Sequence, residues 1–190
     1  MIDIIAASAD RFDDIQHALD GGGDGRSCQC QWWTLTNTQF NTTTADERRA
    51  IFAHEVASAT PGLIAYVDGE PAGWVRIGPR TAQQRLSRTR AFHDATPPWE
   101  DDTVWAVTCF VVRREHRNTG LNARLLASTI EFARDNGARV IEAYPIDPNA
   151  GKKLTANNLF TGVLSTFEAA GFAEIARPAP HRAIVNLSLA

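Results

Sequence analysis

The residue types and spacings best suited to chemistry lie in one run, Cys109 to Leu126, with the sequence CFVVRREHRNTGLNARLL. An apolar stretch leads into a basic turn, and Gly120 stands just before a helical pattern. At a helix start the first backbone N–H groups have no intrahelical partner, and the aligned peptide dipoles add partial positive charge. The amides of Asn118 to Asn122 are therefore expected to point outward as an anion site. Gly120 lets the backbone approach a phosphate with no Cβ in the way. Arg113, Arg114, His116, Arg117 and Arg124 add charge around it.

A second group of interest is CQCQWW, Cys28 to Trp33. Two thiolates at C-x-C spacing fall short of the four ligands of structural zinc, and no paired histidines complete them, so no metal is expected. Cys28, Cys30, Trp32 and Trp33 are assigned to core packing or to the wall of a ligand pocket. Cys109, Trp74 and Trp105 are read as core, Trp99 as able to reach a pocket, and His54, His93 and His181 as exposed.

The elements that must position these residues are legible in outline. Ile2 onward reads as an edge strand, followed by a helix carrying Phe12, Ile15 and Leu19 after an Asp10 cap and stopped at Gly21 to Gly23. Asp24 to Thr43 reads as a loop with one irregular helical turn. Thr44 to Glu47 forms a capping box for a helix with Ile51, Phe52 and Val56 buried. Gly62 to Val67 and Gly73 to Ile77, joined through DGEP, predict a hairpin. Arg80 to Asp102, including Pro97 and Pro98, reads as a long loop over a pocket. Thr103 to Val112 is apolar on both alternating faces, as in a central strand covered on both sides. Leu121, Leu125, Leu126, Thr129, Ile130 and Ala133 form one helical face, ended at Gly137. Val140 to Tyr144 completes a parallel β-α-β unit. After a polar connection from Asp147 to Asn158, a last helix is expected over Leu159 to Ala170. Strands over Phe172 to Ile175 and Ala183 to Leu189 then close a hairpin around ARPAPHR.

Arg117, Asn118, Thr119, Gly120, Leu121 and Asn122 resemble the acyl-CoA signature of the GCN5-related N-acetyltransferases: Arg or Gln, two residues, Gly, one residue, then Gly or Ala. Asn122 departs from the small final residue. FEAAGF, Phe167 to Phe172, is similar to the family's close of its last helix, and the element order covers essentially all 190 residues. The resemblance implies a mixed α/β (α+β) fold: a central, mostly antiparallel twisted sheet with one splayed parallel strand pair, flanked by helices, in a single domain over 1–190. It implies acetyl-CoA as co-substrate, with the pyrophosphate on Arg117, Asn118, Thr119, Gly120, Leu121 and Asn122. Phe110, Val111 and Val112 would pair with the pantetheine arm through their backbone, one N–H polarising the thioester. The reaction implied is direct attack by an amine in a ternary complex. The family's usual acid is a Tyr where this chain has Phe167, and its usual Asn falls at Phe160. Glu142 and Tyr144, on one strand face, are the candidates for relaying the amine proton and replacing the acid.

The formal charge of -3 gives no basic field for nucleic acid or anionic lipid. Without an apolar run of roughly 20 residues or a signal-peptide pattern, the expectation is a soluble cytoplasmic protein. The three cysteines make no even disulfide framework. The triphosphate loop G-x-x-x-x-G-K-[ST] and the dinucleotide G-x-G-x-x-G are both absent. The expected partner is a small-molecule or peptide amine, with homodimerisation left open. A non-catalytic acyl-CoA-binding or regulatory domain and a module for another phosphate stay open as alternatives, the first because of Phe167.

Overall fold

The computed structural model describes residues 1–93, 96, 98–151 and 155–189. The reading of Pro97, and that of 152–154 within the polar connection, lie outside the described residues.

One seven-stranded sheet runs β1-β2-β3-β4-β5-β7-β6. Its strands are β1 (Ile2–Ala6), β2 (Gly62–Val67), β3 (Glu70–Pro79), β4 (Val104–Val112), β5 (Val140–Ala143), β6 (Ala173–Ala179) and β7 (Arg182–Ser188). Every neighbouring pair is antiparallel except β4 and β5. The parallel pairing runs only from Val104 opposite Val140 to Val107 opposite Ala143. Beyond that point β4 continues to Val112 while the chain after β5 turns away through Pro145. This parting is in keeping with the splayed pair that the family resemblance implies.

The helices are α1 (Phe12–Leu19), α2 (Gly25–Cys28), α3 (Asn37–Thr42), α4 (Ala45–Ser58), α5 (Arg85–Arg88), α6 (Arg90–His93), α7 (Leu121–Asp135) and α8 (Leu164–Ala169). Side chains alternate across β2 and β3. Leu63, Ala65, Val75 and Ile77 face Leu121, Leu125 and Leu126 of α7. Ile64, Tyr66 and Trp74 face Ile15, Leu19, Phe52 and Val56 of α1 and α4. Burial of a leucine is worth roughly 1.5–3 kcal/mol, so three on one stripe fix α7 across the sheet far more firmly than helix propensity does. Among the described residues no helix is long and apolar enough to cross a membrane.

Several boundaries differ from the sequence reading. Asp10 lies inside a 3-10 turn, Ala9–Arg11, and no side chain caps α1. The loop after Gly23 contains two helices, α2 and α3, the latter opened by a Thr36–Gln39 capping box. The Thr44–Glu47 box forms as expected, but Ile51 is 38 % exposed and only Phe52 and Val56 are buried. Arg80 to Asp102 is no plain loop: Arg80, Gln83, Arg85, Leu86 and Phe92 are buried in it. The last helix starts at Leu164, because Gly162 takes φ +85° and Val163 bridges to Ile146. The closing turn contracts to Pro180 and His181, with Pro178 tolerated in β6 because that strand is the sheet's edge.

Candidate active site

Between β4 and α7 the chain makes a 3-10 turn, Arg114–His116, then passes through Asn118 at φ 60° and Gly120 at φ 78°. Gly120 is the N-cap of α7, and its carbonyl accepts from the amides of Ala123 and Arg124. The five preceding amides, Asn118 to Asn122, have no acceptor among the described residues. The turn is exposed, and a Cβ built on Gly120 would meet nothing within 4 Å. These are the physical requirements of an anion cradle at a helix start.

The basic side chains divide their duties. Arg113 donates to Glu115 (2.7 Å) and to the His17 carbonyl (2.6 Å), so it ties the end of β4 to α1. Arg117 Nε donates to the Val112 carbonyl at 3.1 Å, while its guanidinium lies beside Gly22.

The turn opens onto a cavity of about 660 Å³ that runs beneath the end of β4 toward Cys28, Cys30, Trp32 and Cys109. Arg117, Asn118, Gly120, Leu121 and Asn122 line it, as do Phe110, Val111 and Val112; Thr119 does not, its hydroxyl being donated to the His116 carbonyl (2.7 Å). The opposite wall is the glycine run after α1, which the sequence marks only as a helix stop. A Cβ on Gly21 would fall 2.2 Å from Arg113 Cγ and 2.7 Å from its Cα. At Gly22 the atom would stand 2.9 Å from an Arg117 nitrogen, with the backbone at φ +127°. Gly21 and Gly22 are glycine because Arg113, Arg114 and Arg117, at the end of β4 and in the turn after it, pack directly on them. Three glycines, where one ends a helix, were the available signal. Asn157, which donates to Asp24 at 3.2 Å across the cavity mouth, carried none.

The backbone of β4 presents alternate residues to its two sides. Arg113 N–H donates to the Ala72 carbonyl of β3, whereas Phe110 N–H donates the other way, to the Phe160 carbonyl at 2.6 Å. Phe110 and Val112 therefore turn their peptide groups to the parted edge. Val111 faces β3 and lines the cavity without offering its amide there. Farther down that edge the Thr108 carbonyl accepts from Trp33 Nε1 at 3.1 Å.

Glu142 and Tyr144 share a strand face and meet: the Tyr144 hydroxyl donates to Glu142. Glu142 also accepts from Arg80 at 3.0 Å and from Thr96 at 3.3 Å, and Arg80 and Glu142 are 2 % and 3 % exposed. Burial raises the Glu142 pKa against the pull of Tyr144 and Arg80. Burial, then the Glu142 charge, pushes Tyr144 well up. Tyr144 has no exposed surface and packs between Phe92 and Trp33. Neither residue lines the cavity below the turn. Phe167 is likewise fully buried, edge-on to Phe110 and Phe172. Trp99 lies over the Arg80 guanidinium at 4.2 Å, and not in the cavity.

At the inner end, burial alone would raise the Cys30 thiol, but a hydrogen bond with Cys109, the Arg76 charge and the Trp74 indole N–H bring it below its usual value. The Cys109 thiol is pushed up by the same contact and by burial. No group of metal-binding side chains occurs among the described residues.

The fold as a whole is shared with solved acetyltransferases. One is a ribosomal-protein-alanine N-acetyltransferase from Brucella melitensis, 17 % identical over 98 % of this chain and 99 % of that one, with a TM-score of 0.59. YncA from Salmonella typhimurium, solved with its cofactor acetyl-CoA, is 16 % identical over 100 % and 94 %, with a TM-score of 0.58. PaiA N-acetyltransferase from Thermoplasma acidophilum, in complex with coenzyme A, is 11 % identical over 99 % of each chain, with a TM-score of 0.57. At these identities the likeness is one of fold. No curated protein sequence matches the chain. Residues 29–153 match the model of the acetyltransferase (GNAT) family, and the chain belongs to that family.

Proposed function

We propose that this protein is an acetyl-CoA-dependent N-acetyltransferase acting on an amine in a ternary complex. The observation that carries the reading is the run of unpartnered amides from Asn118 to Asn122 at the mouth of a cavity under the parted edge of β4. Bound there, acetyl-CoA supplies an activated thioester for attack by an amine. The turn from Arg117 to Asn122 holds a diphosphate through backbone N–H groups and the α7 dipole. Phe110 and Val112 offer peptide groups to an extended arm, as an added strand would use them. Phe110 N–H polarises the thioester carbonyl once the Phe160 carbonyl gives it up. The three free thiols fit a reducing cytoplasm.

Phe167 brings no proton to the departing sulfur. A thiol with a pKa of about 8.5 leaves tolerably near neutral pH without an acid. The enclosed Glu142–Tyr144 pair is assigned to holding the floor of the site through Arg80 and Trp33, and only an opening of that cluster would bring it to the thioester.

The test is release of free thiol from acetyl-CoA by the purified protein against a panel of amines. Amine-dependent release is expected. Retention of coenzyme A with no release would instead favour a non-catalytic binder, the reading that Phe167 supports. In the same assay Tyr144→Phe is expected to keep kcat within tenfold, since a positioned general acid is worth about 10²–10⁴-fold. A loss in that larger range would restore Tyr144 to the chemistry.

A further inference from the structure

A second cavity, about 650 Å³, lies across Trp32 and Phe160 from the first, and these two residues line both. Its formal charge is one-sided: Arg85, Arg88 and Arg182 line it and, among the described residues, no Asp or Glu does, in a chain of formal charge -3.

Arg85 is only 6 % exposed. Its Nε donates to the Leu35 carbonyl at 3.1 Å, Nη1 to Asn37, and its guanidinium lies 3.9 Å from the centre of the Trp32 ring. Nη2 has no partner. Arg182 Nη1 donates to the Tyr144 carbonyl at 2.9 Å and the Thr161 hydroxyl at 3.2 Å, both neutral. The other deeply buried arginines differ: Arg76 is paired with Glu55 and Arg80 with Glu142. No carboxylate of the described residues lies within ion-pair distance of Arg85, Arg88 or Arg182. A buried guanidinium without a counter-ion is costly, which argues that a ligand supplies one.

We propose that this cavity is the acceptor site and that the acceptor is a small amine bearing a carboxylate on an apolar body, an amino-acid-like molecule whose carboxylate pairs with Arg85 between Arg88 and Arg182. The assignment rests on the acetyltransferase reading above. Trp32, Trp33, Phe92 and Phe160 supply flat apolar wall for the body. The same cations act on the nucleophile: like charge disfavours an ammonium ion, so the neutral amine is populated without a dedicated base. In the transfer the amine nitrogen bonds to the acetyl carbon, the C–S bond breaks with its electron pair leaving on sulfur, and the nitrogen's extra proton passes to solvent.

The experiment compares acetyl-CoA turnover on the twenty L-amino acids with that on their amides, with phosphoethanolamine and short peptides as further arms. Calorimetry measures coenzyme A binding separately. The best amino acid is expected to exceed its own amide at least tenfold in kcat/KM. Arg88→Glu, on the exposed rim, should raise the KM for that acid tenfold or more while coenzyme A affinity stays within threefold. Amides or peptides preferred over free acids, phosphoethanolamine preferred over carboxylates, or no acid turned over at all would each overturn the acceptor assignment. Coenzyme A binding that survives such a result leaves the acetyltransferase reading standing; its absence rejects that reading independently.

Discussion

Gly120→Glu is expected to weaken coenzyme A binding at least 100-fold while leaving the protein folded. At φ 78° the left-handed backbone costs a residue with a Cβ about 1–2 kcal/mol. The Cβ itself meets nothing within 4 Å, so no clash adds to this. The carboxylate then stands beside the amides of Asn118 to Asn122, where a diphosphate would lie. Each like-charge pair at about 4 Å costs roughly 1–4 kcal/mol between aqueous and surface-like dielectric, and about 2.8 kcal/mol already amounts to 100-fold. Gly120→Ala separates the two effects, keeping the backbone strain without the charge, and should bind within tenfold of the unaltered protein. Calorimetric titration of both variants, with thermal unfolding as the folding control, checks the pair. An unchanged affinity for Gly120→Glu would remove the signature turn from the binding site.

Arg80→Met is expected to cost about 3–5 kcal/mol of stability, the usual penalty for leaving one member of a buried ion pair behind. Arg80 and Glu142 are 3.0 Å apart and almost wholly enclosed. Tyr144 and Thr96 would remain as donors to Glu142 but carry no charge. The loss has a definite pH sign. Glu142 already has a folded pKa above its unfolded value, and removing Arg80 takes away a group that lowers it. Between the unfolded and folded values the native state holds the extra proton. Stability from this group is therefore present below the carboxylate's ordinary pKa near 4.5 and is lost as pH rises through the raised one. Urea unfolding of Arg80→Met should show a larger deficit at pH 7.5 than at pH 5. Arg80→Met combined with Glu142→Leu should recover much of it.

The fold could be read from the sequence where pattern and environment agree. Thr103 to Val112 is apolar on both faces because it is the fourth strand of seven, covered by helices on each side. The α7 stripe was legible for the same reason. The signature turn was legible because its amides and glycine are local properties of the chain. What was hidden depends on contacts distant in sequence. Nothing near Gly21 announces Arg113, which packs within 2.2 Å of where its Cβ would be. Arg80 and Arg85 sit in a polar stretch that looks like a solvated loop, yet Glu142 lies 62 residues from the first and Leu35 lies 50 from the second. Phe160 was visible as a departure from the family's Asn. Its carbonyl could not be placed on Phe110 without knowing that Gly162 ends the preceding segment with a left-handed turn.

The central claim is that unpartnered amides at the head of α7 seat a diphosphate so that the attached thioester reaches the parted edge of β4. A crystal structure of the protein with acetyl-CoA tests it most directly. The expected result places the diphosphate within hydrogen-bonding distance of the Asn118 to Asn122 amides, with Phe110 N–H turned from the Phe160 carbonyl to the acetyl oxygen. A diphosphate bound elsewhere, or a thioester outside the cleft between β4 and β5 with the Phe110–Phe160 bond intact, would contradict it.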